Sequence, residues 1–328
     1  MKNRLVSVVI LILLYIEHGC SFSYNPYCWV AECCNKDDIP GDTDKLRNSL
    51  TKRVYGQHFV ENAVDAILVH WNPHHKPSKA LTLSFHGWPG GGKNYVAKFI
   101  AESLFKHGMY SKFVHNFIGR VHFPENSHAA SYRENLYSWL KYNVSKCGQQ
   151  LFIFDEVDKM PPTVLNAIKP MIDYRNNVDG VDYTRAIFIF LSNTGASLIN
   201  EHYQDLWKKG KSRKELNLKD FESLITKGAF NEEGGFQFSD TIKSNLIDHY
   251  IPFLPMEERH VRECIKDQFR ERNVEFPSEE HINEVMEFIE WGPDGTKLFS
   301  KTGCKRISSK VAILVAKHYK WALKNDEL

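Results

Sequence analysis

An apolar run, Leu81-Thr82-Leu83-Ser84-Phe85, leads into His86-Gly87-Trp88-Pro89-Gly90-Gly91-Gly92-Lys93-Asn94 and then into a helical pattern. Glycine, four residues, then glycine and lysine, set between a strand and a helix, is the arrangement that wraps a phosphate. The glycines let successive backbone N–H groups turn inward. The helix start adds a dipole that favours an anion. Lys93 is placed to reach the β- and γ-phosphates of a nucleotide, so Gly87, Trp88, Pro89, Gly90, Gly91, Gly92, Lys93 and Asn94 are all candidate contacts. A serine or threonine that ligates Mg2+ usually follows such a lysine. Here Asn94 does. An amide oxygen can also bind a hard cation or hold its water. Nucleotide binding is therefore retained in this reading, and hydrolysis is expected to be slow or conditional.

A second chemical signal is Leu151-Phe152-Ile153-Phe154-Asp155-Glu156, four apolar residues followed by two carboxylates. After a phosphate loop this reads as a strand whose tip carries Asp155, holding Mg2+ through water together with Asn94. Glu156 would be the general base that orients and activates the attacking water. The glutamate favours hydrolysis of ATP over phosphoryl transfer to a small acceptor. A further apolar run ends in Leu191-Ser192-Asn193-Thr194. Asn193, at a neighbouring strand tip, could hold the same water or the γ-phosphate.

These residues need a sheet to bring them together, and the pattern supplies one. Short apolar runs at 80–85, within 113–123, at 150–154 and at 186–191 alternate with helical patterns at 94–106, 132–146 and, for the most part, 162–174. Strands apolar on both faces and separated by helices mean a parallel sheet covered on each side. Before them, residues 44–70 read as helix broken at Tyr55-Gly56-Gln57. From about Met256 the strands stop, and 257–272, 278–289 and 308–323 read as helices. The fold class is thus α/β, a parallel sheet with flanking helices and a small C-terminal helical lid. The expected divisions are a signal peptide at 1–23, a Cys-bearing segment at 24–43, a nucleotide-binding domain at 44–255, a lid at 256–323 and a tail at 324–328.

The 328 residues carry a net charge of +2, which argues against nucleic acid as a bulk electrostatic partner. With 42% hydrophobic and 25% charged residues, composition excludes a disordered chain and a multi-span membrane protein. Lys2 and Arg4 precede an apolar run, Leu5 to Ile16, that is shorter than the ~20 residues of a spanning helix. Ser21-Phe22-Ser23 follows, so a secretory signal cut after Ser23 is expected. The chain ends Lys324-Asn325-Asp326-Glu327-Leu328, close to a Lys-Asp-Glu-Leu retention tail. Both ends point to the lumen of the endoplasmic reticulum. There Asn143-Val144-Ser145 makes Asn143 a glycosylation acceptor. Loss of Cys20 with the signal would leave Cys28, Cys33, Cys34, Cys147, Cys264 and Cys304, an even set in an oxidising compartment.

Gly-Trp-Pro-Gly-Gly-Gly-Lys-Asn, the Phe152 to Met160 segment, Phe188 to Asn193 and Gly303-Cys304-Lys305 together resemble the torsin family of AAA+ ATPases. The resemblance extends to Val54-Tyr55-Gly56-Gln57-His58 and to Leu246 through Pro255, and it covers nearly all of the chain after the signal. It implies a P-loop AAA+ fold, ATP and Mg2+ as ligands, and the lumen of the endoplasmic reticulum and nuclear envelope as the location. It makes Asn193 the sensor 1 residue and Lys305 the sensor 2 residue reaching from the lid. It also implies a redox-sensitive disulfide between Cys264 and Cys304, while Cys28, Cys33 and Cys34 are assigned to the N-terminal segment. Clp-type relatives carry an arginine just before the segment matching Leu246 to Pro255, but here Thr241-Ile242-Lys243-Ser244-Asn245 has none. The resemblance therefore implies that the arginine comes from the lumenal domain of a transmembrane activator. A homo-oligomer is a further partner. Phe123, the one aromatic near the place of a pore loop, lacks a glycine beside it and is read as core. Three functions compete: an ATP-hydrolysing remodeller, an ATP-gated binding module, and a small-molecule kinase. Glu156 favours the first and Asn94 the second. Asp155-Glu156 and the lid speak against the third.

Overall fold

The computed structural model describes residues 26–175, 177–237, 245–293 and 297–319. The expected signal peptide, the C-terminal tail and Thr241 to Ser244 lie outside the described residues. The chain forms two units, Met1–Cys33 and Cys34–Leu328. In the first, a 3-10 turn, Pro26–Trp29, is followed by a disulfide between Cys28 and Cys33.

The second unit begins with helices α1 (Thr43–Arg53) and α2 (Val60–Trp71), and Asp42 caps α1 by accepting the Lys45 N–H. Then come β1 (Leu81–Gly87), α3 (Lys93–Leu104), β2 (Val114–Ile118), α4 (Ala129–Lys146), β3 (Leu151–Asp155) and β4 (Ile187–Ser192). Helices α5 (Ala196–Lys208) and α6 (Leu218–Asn231) precede β5 (His249–Phe253). The five strands form one parallel sheet in the order β2-β3-β4-β1-β5. Alternation sorts its two faces. Leu151, Ile153, Ile187, Ile189 and Leu191 join the core shared with α1, α2 and α3, whereas Phe152, Phe154, Phe188 and Phe190 face α4. The register pairs Phe152 with Phe188 and Phe154 with Phe190, and their rings stack at 5.0 and 5.5 Å. On that second face β1 presents Thr82, Ser84 and His86, all fully buried.

The lid is built from α7 (Glu258–Arg270), α8 (Glu279–Glu287) and α9 (Ile307–His318) around its own core of Val261, Ile265, Phe269, Val285, Val311 and Val315. Cys264 and Cys304 are bonded within it. Among the described residues, no helix is long and apolar enough to cross a membrane.

Several local expectations fail for identifiable reasons. Residues 162–174 hold only a 3-10 turn, Val164–Ala167, and a helical turn, Lys169–Ile172, with Pro170 inside it. Proline's missing N–H and fixed φ stop a longer helix. A strand pair, β6 (Trp291–Gly292) with β7 (Phe299–Ser300), interrupts the all-helical lid. Cys34 is bonded not within its own segment but to Cys147, at the end of α4, a sequence separation of 113. Closing a loop of that length restricts the unfolded chain by about 4–5 kcal/mol in the chain-entropy account.

Candidate functional site

The carboxyl ends of β1, β3 and β4 are neighbours, and ligands of open parallel sheets bind outside such ends. A cavity of about 650 Å³ lies there, with Pro89 to Asn94, Asp155, Glu156 and Asn193 in its wall and Cys264, Cys304 and Lys305 facing it from the lid. Gly87 and Trp88 stand behind the loop, where their carbonyls accept from the Lys93 ammonium at 2.5 and 3.2 Å. Gly92 caps α3 at φ +102, and a Cβ there would meet nothing within 4 Å, so the loop's inner edge is open.

Lys93 is buried, at 7% exposure, and its third contact is Asn193 Oδ1 at 3.0 Å. All of its close partners are neutral oxygens. Burial pulls its pKa down to about 8, against the pull of Asp158 and Asp155, and the charge of Lys305 lowers it further. A buried ammonium without a contacting anion is a fit for a phosphate. The cation side of the site is less open. Asp155 Oδ2 accepts from Asn94 Nδ2 at 2.5 Å, and Asp155 Oδ1 accepts the Glu156 N–H at 2.8 Å. The carboxylate and the amide oxygen are a suitable hard-oxygen pair for Mg2+, and the amide would have to turn away from Asp155 to join it.

Glu156 follows at φ 52, in the left-handed region, with Oε2 3.4 Å from Arg120 Nε. Non-glycine residues held there cluster at functional sites. Asn193 is fixed from behind: its N–H and side-chain amide donate to Asp158 at 3.0 and 3.3 Å. Although burial raises the Asp158 pKa, these bonds and Lys159 outweigh it and hold the carboxyl below its usual range.

The turn bearing Cys304 and Lys305 docks backbone to backbone on the phosphate loop. Cys304 N–H donates to Gly90 O at 3.2 Å. A Cβ on Gly90 would lie 2.0 Å from Thr302 O, and one on Gly303 would lie 2.2 Å from Gly90 O. Only glycine permits that approach, and both residues have positive φ. Gln57 ties the loop to the far strand, donating to Gly91 O at 3.0 Å and Leu254 O at 2.8 Å. His86 does the same between β1 and β4. Burial lowers its pKa to about 4, so it is neutral; Nδ1–H donates to Thr194 O at 3.0 Å and Nε2 accepts from Ser84 Oγ at 2.7 Å.

Arg120, Asp158, Gln57 and His86 also belong to the site, and none is a candidate from the sequence alone. Asp158 and His86 lie within the motifs themselves, and Gln57 within the Val54–His58 signature, but no spacing rule marks their roles. Two other residues do not line the cavity. Asn143 sits in the last turn of α4 with its side-chain amide donating to Trp139 O at 2.8 Å. Phe123 is buried against Phe117 and Tyr132, as the core reading requires.

The torsin family profile matches residues 28–154, and the profile of the torsin-1A C-terminal domain matches 256–313. A torsin-like protein of Drosophila melanogaster is 39% identical over 306 residues, covering 90% of this chain and 88% of that protein. One of Caenorhabditis elegans is 38% identical over 298 residues, covering 88% and 82%. Among solved structures, S. cerevisiae Hsp104 in its ADP complex matches with a TM-score of 0.58 at 16% identity over 92% of this chain. A closed state of Hsp104 with ATPγS and FITC-casein matches with 0.55 at 16% identity over 87%. This chain spans about half of each Hsp104 chain, at 50% and 48%, and the likeness there is one of fold. With both profiles placed in order along the chain and two relatives matched over most of their length, the protein belongs to the torsin family of AAA+ ATPases.

Proposed function

We propose that this chain binds ATP with Mg2+ in the lumen of the endoplasmic reticulum or nuclear envelope, hydrolyses it slowly alone, and uses the cycle to remodel proteins or membranes. The observation that carries the reading is the convergence of Lys93, Asp155, Glu156, Asn193 and Lys305 on one cavity. In the reaction, water attacks the γ-phosphorus, the bond to the ADP oxygen breaks, and Glu156 takes the water's proton. Lys93, Asn193 and Lys305 would answer the charge on the phosphoryl oxygens. Mg2+, held by Asp155 and Asn94, would neutralise the β- and γ-phosphates. Among the described residues, both arginines in the cavity wall are already engaged, Arg53 with Asp267 and Glu271 and Arg120 with Glu156. An arginine finger is worth roughly 10³–10⁵ in rate in related P-loop enzymes. We assign that missing part to the lumenal domain of a transmembrane activator. The lumenal address rests on the two chain ends and on the family.

A second reading, an ATP-gated binding protein with little hydrolysis, is favoured by the Asn94–Asp155 bond across the cation position. Steady-state ATP turnover of the pure protein over a range of concentrations, with and without lumenal extract, separates the two. Slow turnover that the extract raises by orders of magnitude supports the first. Tight binding with no turnover under either condition supports the second. Fast turnover by the chain alone refutes the need for an activator.

A further inference from the structure

A second cavity, of about 690 Å³, lies between α1, α2, the turn at Arg213–Glu215 and the start of α7. Its wall holds the four basic residues Arg47, Arg213, Lys214 and Arg259 against the acidic Glu61 and Asp65. Arg47 is paired with Asp65 at 2.7 Å. The Arg213 side chain is only 4% exposed. Its Nε donates to Gly56 O at 2.6 Å, and Nη1 donates to Pro255 O at 2.9 Å and to Glu257 Oε1 at 3.1 Å. Glu257 also serves Arg259, at 2.9 Å, so one carboxylate answers two guanidinium groups. Among the described residues, Arg213 Nη2 has no hydrogen-bond partner, and neither has the buried Nε2 of His58, which lines the same cavity.

Buried polar atoms of this kind are rare and costly to leave unpaired. The pair of orphans also selects a chemistry. Arg213 Nη2 needs an acceptor, best an anionic one. Burial, with Arg213 nearby, disfavours a charge on the His58 ring, so one of its ring nitrogens is an acceptor, and we assign that role to the unpartnered Nε2. A carboxylate can satisfy only the first. A singly protonated phosphate can satisfy both, accepting with one oxygen and donating with its hydroxyl. We propose that this cavity is a binding site for a small phosphate-bearing anion, separate from the nucleotide site. Arg213 and His58 hold the phosphate at its floor, and the exposed Lys214 and Arg259 draw it in.

The test uses the full chain carrying Lys93→Ala, which removes the main cation of the nucleotide cavity and weakens binding there, and the variants of the second cavity then tell binding at one cavity from binding at the other. Inorganic phosphate and pyrophosphate are titrated calorimetrically. Flotation with phosphatidylcholine vesicles, with or without phosphatidic acid, tests a lipid headgroup. Saturable binding of one inorganic phosphate or pyrophosphate per chain supports the site with a free ligand as its source. Binding only to phosphatidic acid vesicles supports it with a headgroup as its source. In either case Lys214→Ala with Arg259→Ala, both on the surface, should weaken binding about ten-fold. Arg213→Lys, which keeps the charge and loses the fork, should weaken it at least as much. No binding to any probe, equal binding by the Lys214/Arg259 double variant, or equally tight binding of acetate would overturn the proposal.

Discussion

ATP binding should fall as pH rises above 8, and the size of the effect follows from Lys93. Burial has pulled its pKa down to about 8 from the ordinary lysine value of 10.5. On that basis about three-quarters of the molecules carry the charge at pH 7.5 and about one in ten at pH 9. The sign has two parts. Without nucleotide, the fold disfavours the charged lysine, so the unfolded chain binds more protons between about pH 8 and 10.5, and stability from this group rises with pH through that window. With nucleotide, the phosphates favour the ammonium and raise its pKa, so the added stability is full below 8 and fades above it. If the bound lysine stays charged, affinity drops about eight-fold from pH 7.5 to 9, and about one proton is taken up per ATP at pH 9. Calorimetric titrations in buffers of different ionisation heat read both numbers, and in the Lys93→Ala variant the proton uptake should vanish along with most of the affinity. Affinity that is level from pH 7.5 to 9 would refute the lowered pKa of Lys93, and proton release on binding would refute its placement against the phosphates.

Glu156→Gln should bind ATP as the parent does and lose about 10²–10⁴ in turnover, the contribution of a general base; parental turnover would exclude Glu156 from that role. Arg120→Ala breaks a pair whose members are 64% and 35% exposed. Such pairs are worth at most ~1 kcal/mol, so basal turnover should change less than about five-fold; a hundred-fold change would show Arg120 taking part in the reaction, through Glu156 or at the nucleotide. Cys147→Ser should cost about 2–5 kcal/mol in denaturant unfolding by removing the bond to Cys34, and an unchanged midpoint would mean that the bond adds nothing. Deleting Lys324 to Leu328 should send the protein into the medium of expressing cells, and full retention would place the address elsewhere.

The parts of the site legible in the sequence are those that covalent spacing brings together. Gly87 to Asn94 must form one loop wherever the chain goes, and Asp155-Glu156 must sit at one strand tip, since four apolar residues precede them. The parallel sheet was legible too, because strands buried on both faces cannot hide their composition. Its order was not, since β1 lies between β4 and β5 through pairings no local pattern encodes. Strand β5 itself ends in Ile251-Pro252-Phe253, where a proline hides the strand signal; as the edge strand it can hold one. What the sequence withheld most fully is the contact of the Gly303 turn with Gly90, between backbone atoms far apart in the chain. Each glycine alone reads as a flexible turn; only together do they show why neither can carry a side chain. That contact sets where Lys305 enters the cavity and where the Cys264–Cys304 bond stands in its wall. In the cycle proposed above, a response of the lid to nucleotide would pass through this backbone seam, and the place of Lys305 at the cavity depends on a residue, Gly90, that sequence logic assigns wholly to the phosphate.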